Sequence, residues 1–214
     1  MPIFLALDTS ESFCSVALYA NKKEFSVQQH SPREHTKIIW PLIETLLSQA
    51  NISANEISHV ICTNGPGSFT GVRVACSVAQ GIATANNGFI IPVNTLECLA
   101  YTGLLKHSKD HIWAMMDARM QAVYSAIYIF EQNNIKITQV PAALNYHELL
   151  SIKPKSFFAI GSGWQLEQTK NLLSNNLINT NPIEPINLLK LGMSKASAAI
   201  DAIDFKLTYL RDIS

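Results

Sequence analysis

An α/β fold made of two similar halves is predicted by three observations. Short apolar runs at residues 3–7, 60–63 and 89–93 alternate with longer segments whose apolar residues recur every three to four positions, the patterns of buried strands and of helices. The opening pattern also returns: Ile3-Phe4-Leu5-Ala6-Leu7-Asp8 and, after a gap, Ser15-Val16-Ala17-Leu18-Tyr19 resemble Ile112-Trp113-Ala114-Met115-Met116-Asp117 and Val123-Tyr124-Ser125-Ala126-Ile127-Tyr128, a strand, an Asp and a returning strand each time. Finally, 214 residues that are 48% hydrophobic and only 15% charged can bury a sizeable core.

Taken in order, residues 3–7 read as a buried strand ending in Asp8-Thr9-Ser10, and residues 14–19 and 24–28 alternate around the polar turn Ala20-Asn21-Lys22, which completes a three-strand meander. Residues 34–50 carry Ile38, Ile39, Trp40, Leu42, Ile43, Leu46 and Leu47 at helical spacing, with Pro41 expected to bend the first turns. A strand at 60–63 runs into the loop Asn64-Gly65-Pro66-Gly67-Ser68 and a helix at 70–87; a strand at 89–93 and a helix at 95–106, capped by Asn94 or Thr95, follow. The composition turns polar at 106–110, which divides the chain into expected subdomains 1–106 and 107–214. The second half adds, after its two opening strands, a weak strand at 135–139, a helix near 146–150, a strand at 157–160, Gly161-Ser162-Gly163 opening a helix to 173, a polar loop, a helix at 188–200 and an extended tail at 208–211.

The charge balance narrows the function. Sixteen Lys and Arg equal sixteen Asp and Glu, so no net positive field holds nucleic acid, and a solitary tRNA or DNA binder is disfavoured. No charged leader with an apolar stretch and no run of about 18 apolar residues is present, so a cytoplasmic, non-membrane protein is expected. Cys14, Cys62, Cys76 and Cys98 stand singly among mostly apolar neighbours and read as reduced core thiols. The glycine loop at 65–71 fits neither phosphate motif: Val72-Arg73 follows where a Walker loop needs Lys-Ser or Lys-Thr, and Thr70 stands where a dinucleotide fingerprint needs its third glycine. The helix after it has a narrow polar strip and a very wide apolar arc, one side for its own sheet and one that seeks a second surface.

Leu5-Ala6-Leu7-Asp8-Thr9-Ser10, Gly65-Pro66-Gly67-Ser68-Phe69-Thr70-Gly71-Val72-Arg73, Asp117-Ala118-Arg119 with Val123-Tyr124, and Tyr209-Leu210-Arg211 resemble, in order and spacing, the bacterial TsaB (YeaZ) family. Leu207 departs from the proline expected there. The resemblance implies two ribonuclease-H-like subdomains of the actin and sugar-kinase (ASKHA) superfamily. It also implies a non-catalytic subunit that binds TsaD, meets the ATPase TsaE through the complex, and serves threonylcarbamoyl transfer to the tRNA adenosine 3′ of the anticodon, with no cofactor of its own.

The residues leave an enzymatic alternative open, a weak ATP-binding or ATP-hydrolysing ASKHA enzyme. Asp8, Asp117, Gly161 and Gly163 resemble remnants of a nucleotide site, although Ser10 and Ala118-Arg119 replace glycines that would let phosphate approach. As strand-end acids, Asp8 and Asp117 can equally cap turns. The resemblance implies a His-x-x-x-His metal pair in the related TsaD subunits; at that spacing this chain has Thr95 and Leu99, and neither supplies an imidazole. His30, His35, His107 and His111 read as solvated polar residues, and no catalytic or metal-binding set is expected.

The wide arcs of the two helices, 34–50 and 70–87, are expected to lie side by side and offer a joint apolar face, with Trp40, Leu47, Gly71, Val74, Ala75, Val78, Gly81 and Ile82 contacting TsaD. Without TsaD the same face is expected to drive a symmetric homodimer, and tRNA is expected to bind only weakly or through the complex.

Overall fold

The computed structural model describes residues 1–105, 111–131, 134–173, 178–179 and 183–210. The expected boundary at 106/107, His107 and Arg211 lie outside the described residues. In chain order the elements are β1 (Phe4–Asp8), β2 (Phe13–Ala20), β3 (Lys23–His30), α1 (His35–Ala50), β4 (His59–Thr63), α2 (Phe69–Ala85), β5 (Phe89–Val93) and α3 (Thr95–Leu104). Then come β6 (His111–Asp117), β7 (Val123–Glu131), β8 (Asn134–Leu144), α4 (Tyr146–Ile152), β9 (Phe157–Ile160), α5 (Glu167–Lys170), β10 (Ile178–Asn179), α6 (Pro185–Ser194) and β11 (Ile200–Asp201).

Two mixed sheets result. The first runs β11-β5-β4-β1-β2-β3 and the second β10-β9-β6-β7-β8. In each, the first strand lies between an antiparallel second strand and a parallel fourth one: β1 pairs antiparallel with β2 and parallel with β4, and β6 does the same with β7 and β9. The shared order, third, second, first, fourth, fifth, is the ribonuclease-H-like arrangement repeated, so the recurrence of strand, Asp and returning strand in the sequence is a duplication of topology.

Side-chain alternation decides what each face of the first sheet covers. Leu5, Leu7, Val16, Leu18, Val60, Cys62 and Ile90 form a core with Ile39, Ile43 and Leu46 of α1 and Ala75, Ala79 and Ile82 of α2. Ile61 points the other way, where a Cβ on Gly192 of α6 would stand 2.3 Å from its Cγ2, so α6 comes close to the sheet there. In the second sheet, Trp113 and Trp164 cross edge-on at 5.2 Å inside a buried cluster with Phe157, and the Trp164 indole N–H donates to the Trp113 carbonyl.

The helices are not distributed as the cut after residue 106 implies. The chain forms one unit from Met1–Thr95 and Ile183–Thr208 and another from Leu96–Pro182 and Tyr209–Ser214. Gly103 of α3 sits against Ile112 and Phe158, and Leu99 against Gly161, all on the second sheet, whereas α6 packs on the first. Each apolar stripe goes to the sheet with an uncovered face, and linear order does not fix which sheet that is. Three smaller differences have local causes. Pro185 starts α6 early because proline suits the first helical turn. The helix expected after Gly161 is a 3-10 turn, Ser162–Gln165, followed by the short α5. Pro141 is accommodated because β8 is an edge strand. No described helix is long and apolar enough to cross a membrane.

Candidate functional site

The strand-end acids are occupied by this chain's own groups. Asp8 is buried, and its Oδ1 accepts from the Thr63 hydroxyl at 2.7 Å and from the Ser10 N–H at 3.2 Å. Burial pushes its carboxyl above the ordinary carboxylate range, against the opposing pull of those hydrogen bonds. In the second unit, Arg119 donates its backbone N–H to Asp117 Oδ1 at 2.7 Å and sets Nη1 3.1 Å from Oδ2. Gly161, at φ +103°, and Gly163 are glycines because a Cβ on either would strike Met115, at 2.2 Å from its carbonyl oxygen and 2.8 Å from its Cβ. These four positions therefore hold strand ends and turns together. Among the described residues no group of three or more His, Cys, Asp and Glu is placed to hold a metal.

His35 corrects the reading of the histidines as solvated. It is buried at the start of α1, with Nδ1 3.2 Å from Ser31 Oγ and Nε2 2.9 Å from the Glu11 carbonyl oxygen, as satisfied core residues are. Of the cysteines, Cys14, Cys62 and Cys98 are buried and free and Cys76 is half-buried; burial pushes the Cys14 thiol up to about 12.

The glycine loop serves helix packing. Ser68 caps α2, accepting from Gly71 N–H at 3.4 Å, and Ser68 N–H donates to the Ser10 carbonyl at 2.7 Å. Thr9 Oγ1 donates to the Gly71 carbonyl at 2.7 Å and accepts from Ala75 N–H at 3.1 Å, and a Cβ on Gly71 would lie 2.0 Å from the Thr9 carbonyl oxygen. At this helix start the Ser68 and Gly71 amides are thus bonded within the chain, and the Thr9 contacts lock α2 onto the end of β1.

That lock turns one face of α2 outward. Phe69, Thr70, Ser77, Gly81, Thr84 and Ala85 are exposed, while Val74 and Val78 are half-buried along the edge of the core. Phe69 is 60% exposed and carries the Arg73 guanidinium 3.4 Å above its ring, with Nη1 donating to the Phe69 carbonyl at 2.7 Å. On α1, which touches α2, Trp40 is 42% exposed and its indole N–H is satisfied by Glu44 at 2.9 Å, so the ring offers apolar surface without a missing hydrogen bond.

The expected face is narrower than its residues suggested. Leu47 and Ile82 are each 7% exposed and Ala75 is fully buried, all in the chain's own core, and Gly71 is spent on Thr9. A wide apolar arc does not say which of its edges the core takes. Trp40, Val74, Val78 and Gly81 remain at the surface or its margin. Phe69, which the sequence reading did not single out, is an exposed aromatic; its place just after the Ser68 cap was the available signal.

The family model described as TsaD, tRNA N6-adenosine threonylcarbamoyltransferase, matches residues 25–194. The chain is 28% identical to a tRNA threonylcarbamoyladenosine biosynthesis protein TsaB of Haemophilus influenzae over 97% of this chain and 93% of that one. It is 34% identical to TsaB of Escherichia coli over 75% and 71% respectively. The solved structure of YeaZ from Pseudomonas aeruginosa superposes with a TM-score of 0.84 at 26% identity, covering 98% of this chain and all of that one.

Proposed function

We infer, for a chain that belongs to the TsaB (YeaZ) family and so to the proteins of tRNA threonylcarbamoyladenosine biosynthesis, a subunit that does no chemistry itself and docks on TsaD through α1 and α2. The observation that carries this reading is that the chain's own core leaves Trp40 of α1 and Phe69 and Gly81 of α2 exposed, with Val74 and Val78 half-buried at its edge. The TsaD model matches most of this chain, so TsaD itself presents a related pair of helices, and two related faces meet around a pseudo-twofold axis. By the same geometry the face pairs with a second copy when TsaD is absent, and TsaE and tRNA join through the complex. Asp8 and Asp117, held by Thr63, Ser10 and Arg119, give no support to the ATPase alternative.

Trp40 supplies the test, because Trp113 and Trp164 are buried in the other unit and report little of the solvent. Adding TsaD is expected to shift the emission of Trp40 to the blue and to shield it from acrylamide. Trp40→Asp and Val78→Asp are expected to melt within a few degrees of the parent while losing TsaD in sedimentation. A collapsed melting temperature, or undiminished association, defeats the docking reading.

A further inference from the structure

We propose that the C-terminal segment from Ala202 to Thr208 is a brace that sets the position of α2, and with it the docking face; the second clause rests on the docking reading above. The segment is tied to the helix and to the chain just before the loop that leads into it. Gln80 Nε2 donates to the Ala202 carbonyl at 3.0 Å, and Thr208 N–H donates to the Asn64 carbonyl at 2.7 Å, just before the loop that starts α2. Between these ties Phe205 is buried in the core that α2 lines, and Leu207, like Val74 and Val78, packs partly buried against that core.

Gly65 records how close the approach is. Its φ is +99°, and a Cβ there would stand 2.8 Å from the Thr208 carbonyl oxygen, so the loop admits the tail only where no side chain intervenes. Both ties use backbone groups of the tail, one at each end. They hold the loop and Gln80 from the side of Phe205, while Thr9 and Ala75 hold the helix against β1. A brace of this kind links two equilibria: whatever favours the seated tail favours the docking geometry, and docking protects the tail in return.

Backbone chemistry separates this brace from mere packing. Thr208→Pro removes the N–H donor, whereas Thr208→Ala keeps it; Gln80→Met removes the tie at the other end while preserving length and helix propensity. In the free chain, hydrogen exchange of amides 69–75 and 205–207 is expected to quicken about tenfold in Thr208→Pro and in Gln80→Met, and to stay at the parent rate in Thr208→Ala, because each of the first two loses a hydrogen bond to the tail, Gln80→Met also losing the one from Cys76 Sγ at 3.5 Å, and the third loses none. TsaD affinity is expected to fall by a similar factor in the same two variants and to hold in Thr208→Ala. Parent-like exchange in both Thr208→Pro and Gln80→Met overturns the brace, as does parent-like affinity in both. Should Thr208→Pro fail to fold, Gln80→Met decides alone. If the parent chain does not bind TsaD, the docking reading falls and the exchange arm still decides the brace.

Discussion

Two alanine substitutions on α2 are expected to move stability in opposite directions. At Gly71 the added methyl would sit 2.0 Å from the Thr9 carbonyl oxygen, with Ser68 Cβ at 3.3 Å, so the helix start has to withdraw by more than an ångström. Withdrawal stretches Thr9 Oγ1 to Gly71 O, now 2.7 Å, and Ala75 N to Thr9 Oγ1, now 3.1 Å. Overpacking at about 1–3 kcal/mol and two buried hydrogen bonds at about 1 kcal/mol each make Gly71→Ala roughly 3–5 kcal/mol destabilising. At Gly81 a Cβ meets nothing within 4 Å, so only the helix-propensity gain of about 1 kcal/mol remains. With about 2–4 °C per kcal/mol for a chain of this length, Gly81→Ala is expected to raise the melting temperature a few degrees, and Gly71→Ala to lower it by about 10 °C or to split the transition. Circular dichroism melts of the two variants beside the parent decide it. If both shift the same way, or Gly71→Ala melts like the parent, the account of the glycine loop as a helix-packing device is wrong. Gly81→Ala carries a second reading: if Gly81 is a point of close approach for TsaD, the more stable variant binds TsaD more weakly.

Asp8→Asn is expected to hold or raise stability at neutral pH, since an amide oxygen can still accept from Thr63 and Ser10 without the cost of a buried charge. A carboxyl raised in the folded state contributes stability below its ordinary pKa of 3.8 and loses that contribution as the pH rises through the folded value. The difference in melting temperature between Asp8→Asn and the parent should therefore grow from near pH 4 upward; a difference that shrinks over that range would reverse the sign assigned to Asp8. The isolated chain is expected to bind tRNA weakly and with a shallow salt dependence, because its formal net charge is zero. A tight complex, steep in salt and formed without a partner, would contradict this.

The sequence by itself determined the elements and their duplication. Strand and helix periods are local properties, and the repeat of apolar strand, Asp and returning strand at residues 3–19 and 112–128 is visible without contacts. It also determined the glycine loop as a place of close approach, since three glycines within seven residues serve little else. What only the tertiary structure decided is which surface each apolar stripe meets. α3 follows the first sheet in the chain and packs on the second, while α6 follows the second and covers Ile61 of the first, because hydrophobic burial has no direction along the chain. The docking strip depended on the same choice: Leu47 and Val78 look alike in the sequence, yet α1 turns Leu47 inward, and the contact of Gly71 with Thr9 fixes the rotation of α2 that leaves Val74, Val78 and Gly81 at or near the surface. A helical wheel gives angles between residues on one helix, and the zero of that angle is set by a contact with another part of the chain.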